Sequence, residues 1–151
     1  MKEIPGKPHE YLGASAGCWE LYGQLIAREY GFPQLGHRKS VDVYAVQHPG
    51  EPGPQAIQSV NVHLVSLYLV LEKGVPGEKA IQTMRALTHH PDSFVWLEPP
   101  VPNGSVTVVD VLGAENYEQH VRWVEAWARD VWQAWRRHHP AVKSIVEKYW
   151  R

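Results

Sequence analysis

The sequence has little of several features that define common protein classes. Its 151 residues include one cysteine, Cys18, so an internal disulfide and a cysteine-based zinc cluster are excluded. The formal net charge is −1, which gives no broad basic surface for nucleic acid. The longest apolar run, LVSLYLVL, is far shorter than the ~20 residues of a membrane-spanning helix. Because the N-terminal stretch is also polar and unlike a signal peptide, we expect a cytoplasmic protein with no membrane partner.

Sequence motifs with a known catalytic mechanism are scarce as well. The chain has no H-E-x-x-H, no P-loop and no G-x-G-x-x-G, so zincins, P-loop NTPases and simple dinucleotide enzymes are not indicated. The stretch GASAG matches G-x-S-x-G, but the hydrolase motif requires a buried strand before its serine. The preceding PGKPHEYL is no such strand, so we predict that Ser15 is a helix N-cap.

Hydrophobic periodicity, by contrast, is clear along most of the chain. Apolar residues recur at helical spacing in every long segment, and prolines or glycines separate these segments. The pattern predicts helices at residues 15–30, 41–48, 54–73, 76–88, 114–137 and 140–150. We therefore predict an all-α protein, a single-domain bundle of five to six helices over residues 1–151, with an extended N-terminal segment at residues 1–13.

One stretch does not follow the helical pattern. Asn103-Gly104 is typical of a type I′ turn, so FVWL and VTVV could pair as a minor β-hairpin near residues 94–109. Three prolines argue against a long hairpin. Alternatively, Thr107 caps a short helix with the sequence VVDVLG.

Seven tryptophans and nine histidines are the unusual counts. The tryptophans of the predicted helix 114–137 are more typical of a core than of a pocket. Four histidines, however, lie on predicted helices or at their edges: His37, His48, His63 and His120. Imidazoles that project inward from different helices can bind a metal, although each could instead be a hydrogen-bonded core residue.

A carboxylate accompanies these histidines. Glu29 lies near the end of the first predicted helix and could act as a general base beside the imidazoles. It could instead be a surface partner of Arg28 or of a lysine, since charged helix residues are mostly exposed.

Several sequence blocks resemble one known family. They occur in the order CWELYGQLIAREY, VDVYAVQHPG, PQAIQSVNVHLVSLYLVLEKG, WLEPP, TVVDVL and WARDVWQAWRRHH. From about Tyr11 to His139, the chain is similar to a bacterial domain of unknown function, DUF5946. The resemblance implies no activity, but the histidines of the family pattern fall on His37, His48 and His63. Many relatives also begin with a Cys-x-x-Cys segment suggestive of a zinc ribbon, which this chain lacks.

Together, these observations lead to one hypothesis and one alternative. The hypothesis is a small metalloprotein in which His37, His48 and His63 bind one divalent transition metal, Zn, Ni, Fe or Cu. An open coordination position would take water or a small-molecule substrate, with Glu29 as candidate catalytic base. We expect His37 and His63 to be the closer pair. The alternative is a helical ligand-binding or protein-interaction module without metal, with tryptophans on its binding surface.

Overall fold

The computed structural model describes residues 16–32 and 38–149, which form an all-α bundle. The described residues contain seven α-helices: α1 (Ala16–Tyr30), α2 (Arg38–Gln47), α3 (Pro54–Leu71), α4 (Gly77–Leu87), α5 (Val108–Leu112), α6 (Tyr117–Ala134) and α7 (His139–Tyr149). Two short 3₁₀ segments follow α4 and α6, at Pro91–Ser93 and Arg136–His138. The all-α prediction is confirmed, and α5 raises the number of helices above the predicted five to six.

Three predictions concern residues outside the described ranges. These are the extended segment 1–13, the N-cap at Ser15 and the position of His37. The prediction of one domain over residues 1–151 stays a prediction.

Helix α3 lies at the centre of the bundle, in contact with α2, α4, α6 and α7. Pro54 occupies its first turn, where the missing N–H is not needed. At the other end Gly74 has a φ of +64°, and the Val75 N–H donates to the Leu69 carbonyl at 2.9 Å. This positive φ is easily adopted only by glycine, so the chain turns sharply there. No helix among the described residues is long and apolar enough to span a membrane.

Helix α6 contributes tryptophans to the core. Asn116 caps the helix, because its side-chain oxygen accepts from the Gln119 N–H at 2.9 Å. Three indoles are buried, and each N–H donates to a side-chain oxygen: Trp127 to Gln47 at 2.9 Å, Trp132 to Glu72 at 2.8 Å and Trp135 to Asn103 at 2.9 Å. Satisfied N–H groups allow these large rings to be buried without an unpaired donor. The predicted core role is therefore confirmed for these three tryptophans but is wrong for Trp123, which is 39% exposed.

The minor β-hairpin expected near residues 94–109 is wrong, because the structure has no strand there. A type I′ turn needs a positive φ at both central residues, whereas Gly104 has a φ of +78° and Asn103 does not have a positive φ. Asn103 instead anchors the loop. Its amide donates to the Val46 carbonyl at 2.9 Å, and its oxygen accepts from Trp135.

The alternative for this segment, a helix capped by Thr107, is confirmed. The Thr107 hydroxyl accepts from the Val109 N–H at 3.3 Å, and the Thr107 N–H donates to the Asp110 carboxylate at 2.9 Å. This reciprocal pair is a capping box, which satisfies two backbone donors at the start of α5.

Alanine substitution at two glycines should change the free energy of unfolding in opposite directions. At Gly104 a Cβ would lie 2.7 Å from Asp130 Oδ2, at a φ of +78°. At Gly23, inside α1, a Cβ would meet nothing within 4 Å. We expect Gly104→Ala to lower the free energy of unfolding by ~1–3 kcal/mol. Gly23→Ala should raise it by ~0.5–1 kcal/mol. Urea denaturation measures both, and a neutral Gly104→Ala would contradict the anchored loop.

Candidate functional site

Helix α2 places polar side chains inside the bundle. Ser40, Asp42 and Gln47 are all buried on this helix, and His48 is buried directly after it. The helix begins at Arg38, three residues before the predicted start at residue 41. Buried polar groups require hydrogen-bond partners, and neighbouring helices supply them here. The result is three separate polar clusters along α2.

The Asp42 cluster consists of Arg38, Asp42, His63 and Ser66. Asp42 is fully buried, and its Oδ1 lies 2.7 Å from both Arg38 Nη2 and His63 Nδ1. Its Oδ2 accepts from Arg38 Nε at 3.0 Å and from the Ser66 hydroxyl. The Arg38 guanidinium thus binds the carboxylate through two nitrogens, which neutralises a charge that would be costly to bury alone.

His63 is oriented by this cluster. A carboxylate only accepts hydrogen bonds, so the His63 Nδ1 bonded to Asp42 carries a proton. In a neutral ring, Nε2 is then the nitrogen with a free lone pair. The side chain is 17% exposed, and Nε2 makes no hydrogen bond to any of the described residues. This carboxylate–imidazole arrangement is the one that orients metal-binding and proton-accepting histidines.

The Cys18 cluster consists of Cys18, Tyr44 and His48. His48 Nδ1 donates to the Tyr44 carbonyl at 3.0 Å, which leaves Nε2 as the acceptor for the Cys18 thiol at 3.6 Å. The Tyr44 hydroxyl donates to the same sulfur at 3.5 Å. Burial lowers the pKa of His48 to about 4 and raises the pKa of Cys18. Near neutral pH the cluster therefore contains a thiol and a neutral imidazole rather than an ion pair.

The Glu29 cluster consists of Glu29, Ser40 and His120. Glu29 and His120 are both buried, and Glu29 Oε2 lies 2.8 Å from His120 Nε2. The Ser40 hydroxyl donates to the same oxygen at 2.6 Å. His120 Nδ1 is buried and has no hydrogen-bond partner among residues 16–32 and 38–149, and the Phe32 ring packs edge-on against the imidazole at 5.6 Å. This imidazole is thus held by one carboxylate and by aromatic packing.

The alternative of Glu29 as a surface partner of Arg28 is wrong. Glu29 is 1% exposed, whereas the Arg28 guanidinium donates to the carbonyls of Val111, Leu112 and Ala114 at 3.4, 2.9 and 3.3 Å. Carbonyl groups at the end of a helix have no intrahelical partner and attract a cation. Arg28 thereby joins α1 to the end of α5. The role of Glu29 as a catalytic base stays a prediction.

The predicted metal ligands are not brought together within the described residues. His48 belongs to the Cys18 cluster and His63 to the Asp42 cluster. Residues 16–32 and 38–149 contain no group of three histidine, cysteine or acidic side chains that could hold a metal. Since His37 lies outside these ranges, a site that includes it stays a prediction.

Sequence reasoning missed the residues that orient His63. Arg38, Asp42 and Ser66 were not among the candidates, although Asp42 stands between valines in VDVYAV. A carboxylate inside such an apolar helical stretch costs free energy unless it is paired. That signal could have indicated a buried ionic partner four residues earlier, at Arg38.

Comparison with known proteins identifies one family. The family model described as "Family of unknown function (DUF5946)" matches residues 6–136. No curated protein and no solved structure matches the chain.

The buried His48 should make stability depend on pH. Its folded pKa of about 4 lies below the unfolded value of 6.5, so the unfolded chain takes up the proton first. The contribution of the neutral His48 to the free energy of unfolding is complete above pH 6.5 and is lost as the pH falls through 4. It amounts to ~3 kcal/mol. We expect His48→Gln to lose less stability than the wild type over this range in urea denaturation. The exposed-site control His89→Gln should match the wild type, and equal slopes for His48→Gln would contradict a neutral His48.

A double-mutant cycle should show that Glu29 and His120 stabilise the fold as a pair. Glu29→Leu leaves a buried imidazole without its partner, so we expect a loss of ~3–5 kcal/mol. Glu29→Leu combined with His120→Leu should be more stable than Glu29→Leu alone, by at least ~1 kcal/mol. Denaturation curves of the four proteins give the coupling free energy. Additive losses would show that the two side chains do not interact.

Proposed function

The chain belongs to the DUF5946 family, whose function is unknown, and from that premise we propose that it is a metal-binding helical bundle in which His63 is a ligand. The observation that supports this proposal is the 2.7 Å hydrogen bond from His63 Nδ1 to the buried Asp42. Histidines that bind metals usually donate their other ring N–H to a carboxylate or carbonyl group.

Stability alone does not account for the Asp42 cluster. Apolar residues of similar volume often stabilise a fold at least as well as a buried ion pair does. Here the fully buried Asp42 uses both oxygens on four donors, and one of these donors is a partly exposed imidazole. The arrangement fixes the direction of His63 Nε2, which is a property a metal ligand requires.

We propose His37 as the second ligand. It directly precedes Arg38, whose guanidinium donates to Asp42. His37 is therefore adjacent in sequence to a residue of the cluster that contains His63. Imidazole ligands suit Zn, Ni, Fe or Cu. Water or a small-molecule substrate would occupy the remaining positions, where the metal would polarise it. We assign His48 to the Cys18 cluster rather than to this metal, because its Nε2 faces the thiol.

The alternative, a metal-free binding module with a tryptophan surface, has weaker support. Trp127, Trp132 and Trp135 are buried and hydrogen-bonded in the core, whereas Trp123 is 39% exposed. A single exposed indole on α6 is a small apolar surface. A metal-free protein with unchanged behaviour after metal incubation would favour this alternative.

Metal binding can be tested on protein purified without a histidine tag. Mass spectrometry should find one metal ion per chain, either in the protein as purified or after incubation with Zn²⁺ or Ni²⁺. After incubation with Co²⁺, the ligand-field bands should report nitrogen ligation. His63→Gln keeps a donor for Asp42 but removes the ring nitrogen, so the metal affinity should fall strongly. Asp42→Asn should reduce the affinity by ~10–100-fold through loss of orientation. His37→Ala should also weaken binding.

The exposed-site variant His89→Gln is the matched control, because it removes a histidine that contacts none of these clusters. It should bind metal as the wild type does. Circular dichroism of each variant separates loss of a ligand from loss of the fold. Wild-type affinity in His63→Gln, or no metal on the wild type at all, would contradict the proposal.

A further inference from the structure

A cleft of about 780 Å³ lies between the loop at residues 100–105 and the C-terminal part of α6. Its volume is within the range of small-molecule binding sites. We propose that this cleft binds a small organic phosphate, which would be a second ligand of the protein and is independent of the proposed metal site.

One wall of the cleft is cationic. Arg136 and Arg137 are exposed and line it together with Arg129. Arg129 donates to Glu125 at 2.7 Å, whereas the hydrogen bonds that Arg136 and Arg137 donate to described residues are to backbone carbonyls, at 3.3 and 3.4 Å. Neither of these two arginines forms an ion pair within the described part of the chain. Two guanidinium groups are therefore available to an anion.

The acidic residue in the lining, Asp130, makes its hydrogen bonds to the loop rather than to these arginines. Asp130 Oδ2 accepts from the backbone N–H groups of Ser105 and Val106 at 2.6 and 2.9 Å. Its Oδ1 accepts from the Ser105 hydroxyl at 3.3 Å. The carboxylate keeps its negative charge, but Arg136 and Arg137 outnumber it, so this side of the cleft stays cationic.

The loop forms an apolar wall that is fixed in place. Pro100, Val101 and Pro102 line the cleft, and Val101 is 97% exposed. Asn103, hydrogen-bonded to Val46 and to Trp135, fastens the loop to α2 and to the end of α6. A cleft that is already formed loses little conformational freedom when a ligand binds.

These two walls determine the class of ligand. A guanidinium offers a fork of N–H donors that matches phosphate oxygens, and two of them can neutralise a dianion. The apolar wall suits an uncharged, flat or hydrophobic body attached to that anion. An organic phosphate such as a nucleotide combines both parts, whereas inorganic phosphate lacks the second.

Calorimetric titration at low ionic strength with ADP, pyrophosphate and adenosine tests the proposal. We expect ADP to bind, pyrophosphate to bind more weakly because it lacks the body, and adenosine to show no binding. Replacing both arginines, Arg136→Gln with Arg137→Gln, should weaken ADP binding at least ~10-fold. Val101→Glu, which adds a negative charge to the apolar wall, should also weaken it.

The matched control is the pair Arg85→Gln with Arg122→Gln, which removes the same charge from exposed positions outside the cleft. Its ADP affinity should equal that of the wild type. Equal weakening by both pairs would show a general charge effect, and absence of ADP binding to the wild type would overturn the proposal. Binding of benzene-1,3,5-tricarboxylate as tight as that of ADP would overturn the choice of phosphate.

Discussion

The carboxylate of Asp42 connects α2 to α3, the helix around which the bundle is packed. Because it is fully buried, the free-energy cost of its burial is offset by the hydrogen bonds that Arg38, His63 and Ser66 donate to it. These hydrogen bonds fix the rotation of α2 against α3. The same rotation directs Ser40 towards Glu29, so the Glu29 cluster also depends on this rotation.

Two carboxylate–imidazole pairs in this protein have different surroundings. In the Glu29 cluster both partners are buried, and the second nitrogen of His120 has no hydrogen-bond partner in the part of the chain that the structure describes. In the Asp42 cluster the carboxylate is buried but His63 is partly exposed. An imidazole must reach solvent to exchange a metal or a substrate, and its orienting carboxylate must not. Exposure therefore distinguishes the Asp42 pair, which we propose for metal binding, from the fully buried Glu29 pair.

Much of the secondary structure follows from local signals in the sequence. The proline at the first turn of α3 and the capping box at Thr107 satisfy or remove backbone donors within a few residues, so no distant contact is needed. The hairpin prediction was wrong because Asn103-Gly104 also fits a loop whose asparagine binds distant groups. Its partners, Val46 and Trp135, are more than thirty residues away in the sequence.

The sequence by itself determined an all-α protein, the approximate helix positions, a core of α6 tryptophans and His63 as a candidate residue. Only the tertiary structure decided which groups meet. Asp42 faces His63 across 21 residues, and Glu29 faces His120 across 91. Helical periodicity reports which face of a helix is apolar, but it does not identify the distant side chain that a buried carboxylate contacts. The pairing depends on how the helices rotate and cross, and that is determined by the packing of the whole bundle.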